Sequence, residues 1–332
     1  MRIGQRAGAT DTGRKRRRNE DAYVVRPPLF AVADGMGGAQ AGEIASRLAT
    51  EALGERAGGG SAEERVEELV QGANRRVYER STEDAEVSGM GTTITVALVE
   101  DGVVTIGHVG DSRAYLVRNG SLDQLTEDHS LVGELMRSGK LSREEAETHP
   151  QRSVITRALG TDPDVDVDVF ALEAQPGDVF LLCSDGLTSM VGDDVILGTL
   201  EEHRDDLEEA ARTLISQANR GGGEDNITVV CFEIADGDDA PAAAPDETAR
   251  MPAAEPQPAP AEEDEETLDE LDRVPAVDTM VVPPEEAARL VARQEPPEGD
   301  RLDAIAKRVV AVLAVVVVVL GAVALLVWGL WG

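Results

Sequence analysis

Apolar and polar positions alternate over short runs in the first 235 residues, and the runs are of strand length. Leu29 to Ala33, Thr93 to Val99, Val103 to Val109, Ala114 to Val117, Val165 to Leu172, Val179 to Cys183 and Ile227 to Ile234 each read as β-strands. Other segments carry apolar residues at three- and four-residue spacing, which predicts helices over Ala41 to Arg56, Ala62 to Arg80, Ser130 to Ser138 and Asp206 to Ala218. Glu100-Asp101-Gly102 and Arg118-Asn119-Gly120 are short turns between strands, and such turns favour antiparallel hairpins over parallel crossovers. The pattern predicts one α+β domain with layered sheets over residues 1–235.

A different pattern occupies the other end. Val309 to Trp331 is uncharged throughout, about 34 Å long as a helix, and so long enough to span a hydrocarbon core. Trp328 and Trp331 stand at its distal end, where amphipathic rings favour the membrane interface, and Arg301, Lys307 and Arg308 flank the near side. By the positive-inside rule the near side is cytoplasmic, which predicts a single-pass protein of the cell membrane with everything before residue 309 in the cytoplasm. The three segments are then a domain over 1–235, a linker over 236–300, and a juxtamembrane and transmembrane piece over 301–332, with the membrane helix at 309–331.

Composition separates the linker from the domain. Residues 236–300 hold 11 of the 16 prolines and 20 acidic residues against 4 basic, the signature of a disordered tether. Inside it, Val277-Asp278-Thr279-Met280-Val281-Val282 is a less polar island, which reads either as a neutral spacer or as a recognition or phosphorylation site. The net charge of −33 excludes a nucleic-acid partner, since such binding neutralises phosphates with Lys and Arg. Cys183 and Cys231 each lie within an apolar run and read as small core residues of a reducing compartment.

Charge also appears where strands exclude it. Leu29 to Ala33 runs into Asp34, Val179 to Cys183 runs into Ser184-Asp185, and Asp225 opens the run that continues from Asn226 to Phe232. Carboxylates at the mouths of apolar strands are costly without a counter-charge, so three of them call for cations. Hard oxygen ligands suit magnesium or manganese. Asn19-Glu20-Asp21 and Gly110-Asp111-Ser112-Arg113 add further acids. Two divalent ions sharing a carboxylate can activate a water for in-line attack on phosphorus. Arg14-Lys15-Arg16-Arg17-Arg18 lies just before Glu20, and the arginine fork suits phosphate oxygens.

Thr10-Asp11-Thr12-Gly13, Arg16-x-x-Asn19-Glu20-Asp21, Asp34-Gly35-Met36-Gly37-Gly38, Gly91-Thr92-Thr93, Gly110-Asp111-Ser112-Arg113-Ala114-Tyr115, Thr126-x-Asp128-His129-Ser130, Ile155-Thr156-Arg157-Ala158-Leu159-Gly160, Ser184-Asp185-Gly186-Leu187 and Asp225-Asn226 occur in that order. Together they resemble the bacterial branch of the metal-dependent protein phosphatases, also called protein phosphatase 2C, over nearly all of residues 5–234. The resemblance implies a four-layer α-β-β-α sandwich with two mainly antiparallel sheets and a serine/threonine phosphatase that forms no phosphoenzyme. It implies two Mn²⁺ or Mg²⁺ ions, one held by Asp34, Asp185 and Asp225, the other by Glu20, Asp34 and the carbonyl of Gly35, so that Asp34 bridges. Asp111 with Asp185 would hold a third, weaker ion. Asp21 would orient the cation-bound water, Arg16 would bind the phosphate, and residues from about 130 to 160 would form a flap. The implied partners are phosphorylated proteins, a membrane serine/threonine kinase and its substrates; the catalytic domain is expected to be monomeric.

Met36 stands where eukaryotic relatives have a leaving-group histidine, and Lys15 where an apolar residue is usual, with Arg17 and Arg18 competing with Arg16 for the phosphate role. Plainer readings stand beside these. Asp128 reads as a helix cap, Asn226 as a turn former, the four histidines as unclustered, and Glu63, Glu64, Glu67 and Glu68 as one solvated helix face. Rival functions are a pseudophosphatase scaffold, against which the complete acidic set speaks, and a hydrolase of small phosphoesters or of a sigma-factor regulator.

Overall fold

Apolar runs that are buried on both faces build two antiparallel sheets in a computed structural model of the chain. The structure describes residues 1–37, 41–55, 58–237, 280–282, 286 and 289–291. In chain order the strands are β1 (Arg2–Asp11), β2 (Asp21–Arg26), β3 (Leu29–Met36), β4 (Gly91–Thr92), β5 (Ile94–Glu100), β6 (Val103–Val109), β7 (Arg113–Arg118), β8 (Ser121–Gln124), β9 (Val154–Ile155), β10 (Asp168–Glu173), β11 (Val179–Cys183), β12 (Ile227–Ala235) and β13 (Met280–Val281). The helices are α1 (Ala41–Ala52), α2 (Ala62–Glu83), α3 (Leu131–Arg137), α4 (Arg143–Glu147), α5 (Asp185–Thr188), α6 (Asp193–Glu202) and α7 (Leu207–Gly221).

The chain divides into two compact units, the larger comprising residues 1–130 and 153–284. In it one sheet runs β1-β12-β11-β7-β8 and the other β10-β6-β5-β3-β2, with β4 attached to β3. Every pair within these two sheets is antiparallel. The expected hairpins form: Asp101 and Asn119 adopt φ of 50° and 54°, the left-handed conformation that tight turns demand.

Three apolar layers hold the sandwich. Phe30, Val32, Ala97 and Ile106 from one sheet meet Leu116, Phe180, Leu182 and Phe232 from the other, with Phe30 and Phe180 stacked on Phe232 at 4.1 and 5.0 Å. The outer face of the β3 sheet is covered by Ala45 and Ala49 of α1 and Val66, Val70 and Val77 of α2. The outer face of the β11 sheet is covered by Ile196 and Leu200 of α6 and Leu207, Leu214 and Ala218 of α7. Helix α2 starts at a capping box, in which Ser61 and Glu64 satisfy each other's backbone donors. Glu64 is therefore a cap rather than merely part of a solvated face, and Glu68 likewise accepts from the Gly58 amide.

The smaller unit comprises residues 131–152 and 285–332. Within it α3 and α4 follow one another, α4 begins at a second capping box formed by Ser142 and Glu145, and Lys140 reaches the Val291 carbonyl.

Several elements depart from the sequence expectation. The β1 strand was not predicted: it is an edge strand whose residues are mostly half-buried, so its apolar alternation is weak. Helix α6 carries Asp193 and Asp194 at one end, Glu201 and Glu202 at the other, and Gly198 between, which blurs its period. Strand β10 starts at Asp168 rather than Val165, and α1 ends at Ala52 rather than Arg56. Within the segment read as a linker, Met280–Val281 forms a strand parallel to β9. Apart from residues 236, 237, 282, 286 and 289–291, the remainder of that linker lies outside the described residues, as do Gly38 and the apolar stretch 309–331; among the described residues no helix is long and apolar enough to cross a membrane.

Candidate active site

Strands end together at one edge of the sandwich, and that is where the acids gather. Asp34 and Asp21 face each other as register partners of β3 and β2 in one sheet. Asp185 opens α5 directly after β11, and Asp225 lies two residues before β12 starts, both in the other sheet. Two carboxylates directly opposite on adjacent strands repel, so this pairing has no structural motive of its own.

Buried hydroxyls stitch the sheets together at this edge. The Ser184 and Thr228 hydroxyls donate to Asp21 Oδ2 at 2.8 and 2.6 Å. Asn226 does more than form a turn: its Nδ2 donates to the carbonyls of Thr12 and Arg18, and its Oδ1 accepts the Glu20 amide at 2.7 Å. One side chain thus fixes the β1–β2 loop, which carries Arg16 and Glu20, against Asp225. The Gly35 amide donates to the Glu20 carbonyl, and the Asp34 amide donates to Thr93 Oγ1 at 3.0 Å.

Two glycines allow the closure. A Cβ on Gly35 would stand 2.1 Å from the Gly42 carbonyl oxygen, and one on Gly186 would stand 2.0 Å from the Asn226 carbonyl oxygen. The Gly42 oxygen belongs to the first turn of α1 and the Asn226 oxygen adjoins the start of β12, so neither can retreat without moving its element, and the Asp-Gly dipeptides are required by close approach as much as by turning.

The electrostatics are those of crowded carboxyls. Burial, then Asp21, Asp185, Asp225 and Asp111, push Asp34 well above the usual carboxylate range. Burial and the Asp225 charge raise Asp21 to about 6 against the lowering effect of Thr228 and Ser184. Burial, Asp225 and Asp21 raise Asp185 to about 7. Asp111 is raised well above its ordinary value by burial and then by the charges of Asp185 and Asp128. Asp21 Oδ1 and Asp185 Oδ1 are buried with no hydrogen-bond partner among the described residues. Those residues contain no ready-made cage of three ligating side chains; what they contain is a set of buried carboxyls that raise one another's pKa. Buried oxygens without partners and raised carboxyls fit hard divalent cations.

Arg16 brings a cation to these acids. Its Nη2 donates to Asp225 Oδ2 at 2.8 Å; burial works against its charge, but Asp225, Asp34 and Glu20 more than offset this. Arg14, Lys15, Arg17 and Arg18 are exposed, and Lys15 pairs with Glu224. Partial burial and the Asp225 contact therefore distinguish Arg16 from its neighbours.

The expected site residues Glu20, Asp21, Asp34, Gly35, Asp111, Asp185 and Asp225 thus come to one end of the sandwich with Arg16. Two plainer readings change here. Asp128, read as a helix cap, also makes a two-pronged ion pair with Arg113 at the start of β7, at 2.9 and 2.7 Å. His108 and His129 do cluster, their rings 4.8 Å apart. The Gly110 amide donates to His129 Nδ1, whose Nε2 meets Asp168 and Arg157, while burial and His129 lower His108 to about 3. Ser184 and Thr228 were missed as site residues. The available signal was inward alternation, which turns both hydroxyls into the sandwich beside Asp21.

Comparison with known proteins gives one consistent result. A family model described as protein phosphatase 2C matches residues 14–228. A serine/threonine phosphatase, stp, of Listeria welshimeri is 42% identical over 68% of this chain and 93% of its own length. The serine/threonine protein phosphatase PstP of Mycobacterium tuberculosis is 41% identical over 70% of this chain and 45% of its own length. The crystal structure of the M. tuberculosis phosphatase PstP/Ppp superposes with a TM-score of 0.67 at 39% identity, covering 70% of this chain and 100% of that one. The PstP catalytic domain in complex with two manganese ions superposes with a TM-score of 0.65 at 38% identity, covering 70% and 99%.

Proposed function

Because this chain belongs to the protein phosphatase 2C family and is a serine/threonine phosphatase, we propose that it uses divalent cations at the strand-end acids to hydrolyse phosphoserine and phosphothreonine in proteins. The observation that carries this reading is the convergence of Asp21, Asp34, Asp185 and Asp225 from two sheets onto one locus with unsatisfied buried oxygens. Asp34, Asp185 and Asp225 would hold one Mn²⁺ or Mg²⁺; Glu20, Asp34 and the Gly35 carbonyl would hold another; Asp111 with Asp185 would serve a third. When bound, the cations lower the pKa of water towards neutrality and neutralise charge on phosphoryl oxygens.

The chain's own residues supply the remainder. Arg16, fixed by Asp225, binds the phosphoryl oxygens and sets the substrate in line. Asp21, whose Oδ2 is held by Ser184 and Thr228, orients the attacking water and takes its proton at the buried Oδ1. Met36 has no proton to give, so the departing serine or threonine oxygen is protonated by water. No side chain is acylated or phosphorylated in this route.

The apolar stretch 309–331 supports a tether that keeps the domain at the cytoplasmic face of the cell membrane, as a monomer opposing a membrane serine/threonine kinase and acting on it and its substrates. The test is manganese-dependent release of phosphate from phosphothreonine and phosphotyrosine peptides by the full chain. Hydrolysis of the former, lost in Arg16→Ala chiefly through KM, is expected; equal turnover of both peptides would overturn the specificity.

A further inference from the structure

Strand β9 is only two residues long, yet both of its edges are used. On one side Ile155 forms an antiparallel bridge with Ser130, and the Thr156 amide donates to the His129 carbonyl at 2.8 Å. On the other side lies β13, parallel, with Met280 opposite Val154 and Val281 opposite Ile155, and the Val282 amide donates to the Ile155 carbonyl at 2.9 Å. Val282 is 8% exposed, and Val281 packs on an apolar cluster of Met36, Ile155 and Ala158. A parallel partner so far downstream is not a local turn; it is an extended segment added to a waiting edge, recognised by backbone hydrogen bonds and by pockets for alternate side chains.

The cluster has a bearing on the acids. Met36 is the last residue of β3, two after Asp34, and it pairs with Gly91 of β4 while Gly35 pairs with Thr92. Thr92 in turn exchanges backbone hydrogen bonds with Leu159, three residues past Thr156. The β9 edge, Met36 and the Asp34-Gly35 corner therefore form one continuous packed unit. In sequence the docked residues are the aliphatic part of an island set between acidic, proline-rich stretches, so aliphatic burial singles them out from their surroundings.

We propose that the edge of β9 opposite Ser130, with the Met36, Ile155 and Ala158 patch, is a strand-addition site that the chain fills with its own Met280–Val282, and that filling it braces the Asp34-Gly35 corner. Docking itself is independent of the phosphatase reading; its effect on cation affinity rests on that reading. Release of the segment leaves Met36 without the Val281 side chain and loosens the corner that supplies the bridging carboxylate and the Gly35 carbonyl. The tail thereby becomes a modulator of the site in cis.

Amide hydrogen exchange on the full chain, wild type and Val281→Asp, tests the docking. The Val282 amide is expected to be protected in the wild type and to exchange at least tenfold faster in the variant, with peptides over residues 152–158 also losing protection. Residues 179–183 of the β11 core should be unchanged, which shows that the variant is folded. Val281→Thr, nearly the same shape, should give a smaller loss. A synthetic peptide of residues 276–286 added to Val281→Asp should restore protection over 152–158. Calorimetric titration with Mn²⁺ should then show affinity lowered severalfold in Val281→Asp. Unprotected Val282 in the wild type, or equal protection in Val281→Asp, would overturn the docking site. Lost protection with unchanged Mn²⁺ affinity would overturn the bracing.

Discussion

Replacing Asp185 by Asn should stabilise the cation-free protein while removing most of its response to manganese. Asp185 Oδ1 is buried without a partner, and burial, Asp225 and Asp21 hold the carboxyl at about 7 against an ordinary 3.8. The unfolded chain releases this proton near 3.8 and the folded chain near 7, so the folded state binds more protons between those values. Stability accordingly falls as pH rises through that window, and the full penalty is present above it. A rise from 3.8 to about 7 corresponds to about 4 kcal/mol. Neighbouring carboxyls share the same repulsion and the residue is half-buried rather than sealed, so roughly 2–3 kcal/mol is the expected gain on neutralisation. For a domain of this size that is roughly 5–10 °C in Tm. The assay is thermal unfolding at pH 8 of both proteins, first in a chelator and then in manganese. A cation at a hundred times its Kd stabilises by about 2.7 kcal/mol, so manganese should raise wild type by that order and Asp185→Asn by much less, narrowing or inverting their order. A variant less stable than wild type in chelator, or one stabilised equally by manganese, would refute the reasoning.

Three other outcomes follow from the same geometry. Thr228→Val keeps the shape but removes a 2.6 Å hydrogen bond to Asp21, worth about 1.5–3 kcal/mol for a charged acceptor, so the acid limb of kcat/KM should move up by about one to two pH units; an unmoved limb would remove Asp21 from the proton path. His108 takes its proton only near pH 3 in the folded state whereas the unfolded chain takes one near 6.5, so stability should fall on acidification below 6.5 by about 1.4 kcal/mol per pH unit. In saturating manganese, His108→Gln should lose that slope in a denaturant titration, and an equal slope would assign the acid sensitivity elsewhere. Gly186→Ala drives a Cβ towards the Asn226 carbonyl oxygen at 2.0 Å and should cost about 1–3 kcal/mol with a loss of kcat, checked by urea unfolding and turnover.

The strand-end aspartates were legible because a charge closing an apolar run has few structural explanations, and their order supplied the family resemblance. The inner strands β3, β5, β6, β11 and β12 were legible for a related reason: residues buried on both faces leave continuous apolar runs. Strand β1 was not, since an edge strand half-open to solvent carries Gln5, Arg6 and Thr10 among its apolar positions. The choice among Arg16, Arg17 and Arg18 turned on burial and on Asp225, neither of which a basic run displays. Ser184 and Thr228 look like ordinary strand-end residues until β11 and β12 bring them to Asp21, more than 160 positions away in sequence. The Met280–Val282 strand was hidden for the opposite reason: its composition differs little from a neutral spacer, and only the β9 edge gives it a partner.

The central claim is that the acids gathered from two sheets are a divalent-cation centre bridged by Asp34. Crystals of the protein grown in manganese, measured for anomalous scattering at the manganese edge, test it most directly. The account predicts two strong peaks flanking the Asp34 carboxylate, one also at Asp185 and Asp225, the other also at Glu20 and the Gly35 carbonyl, with both lost in Asp34→Asn. Manganese at that locus in Asp34→Asn at undiminished occupancy, or wild-type peaks lying away from Asp34, would contradict it.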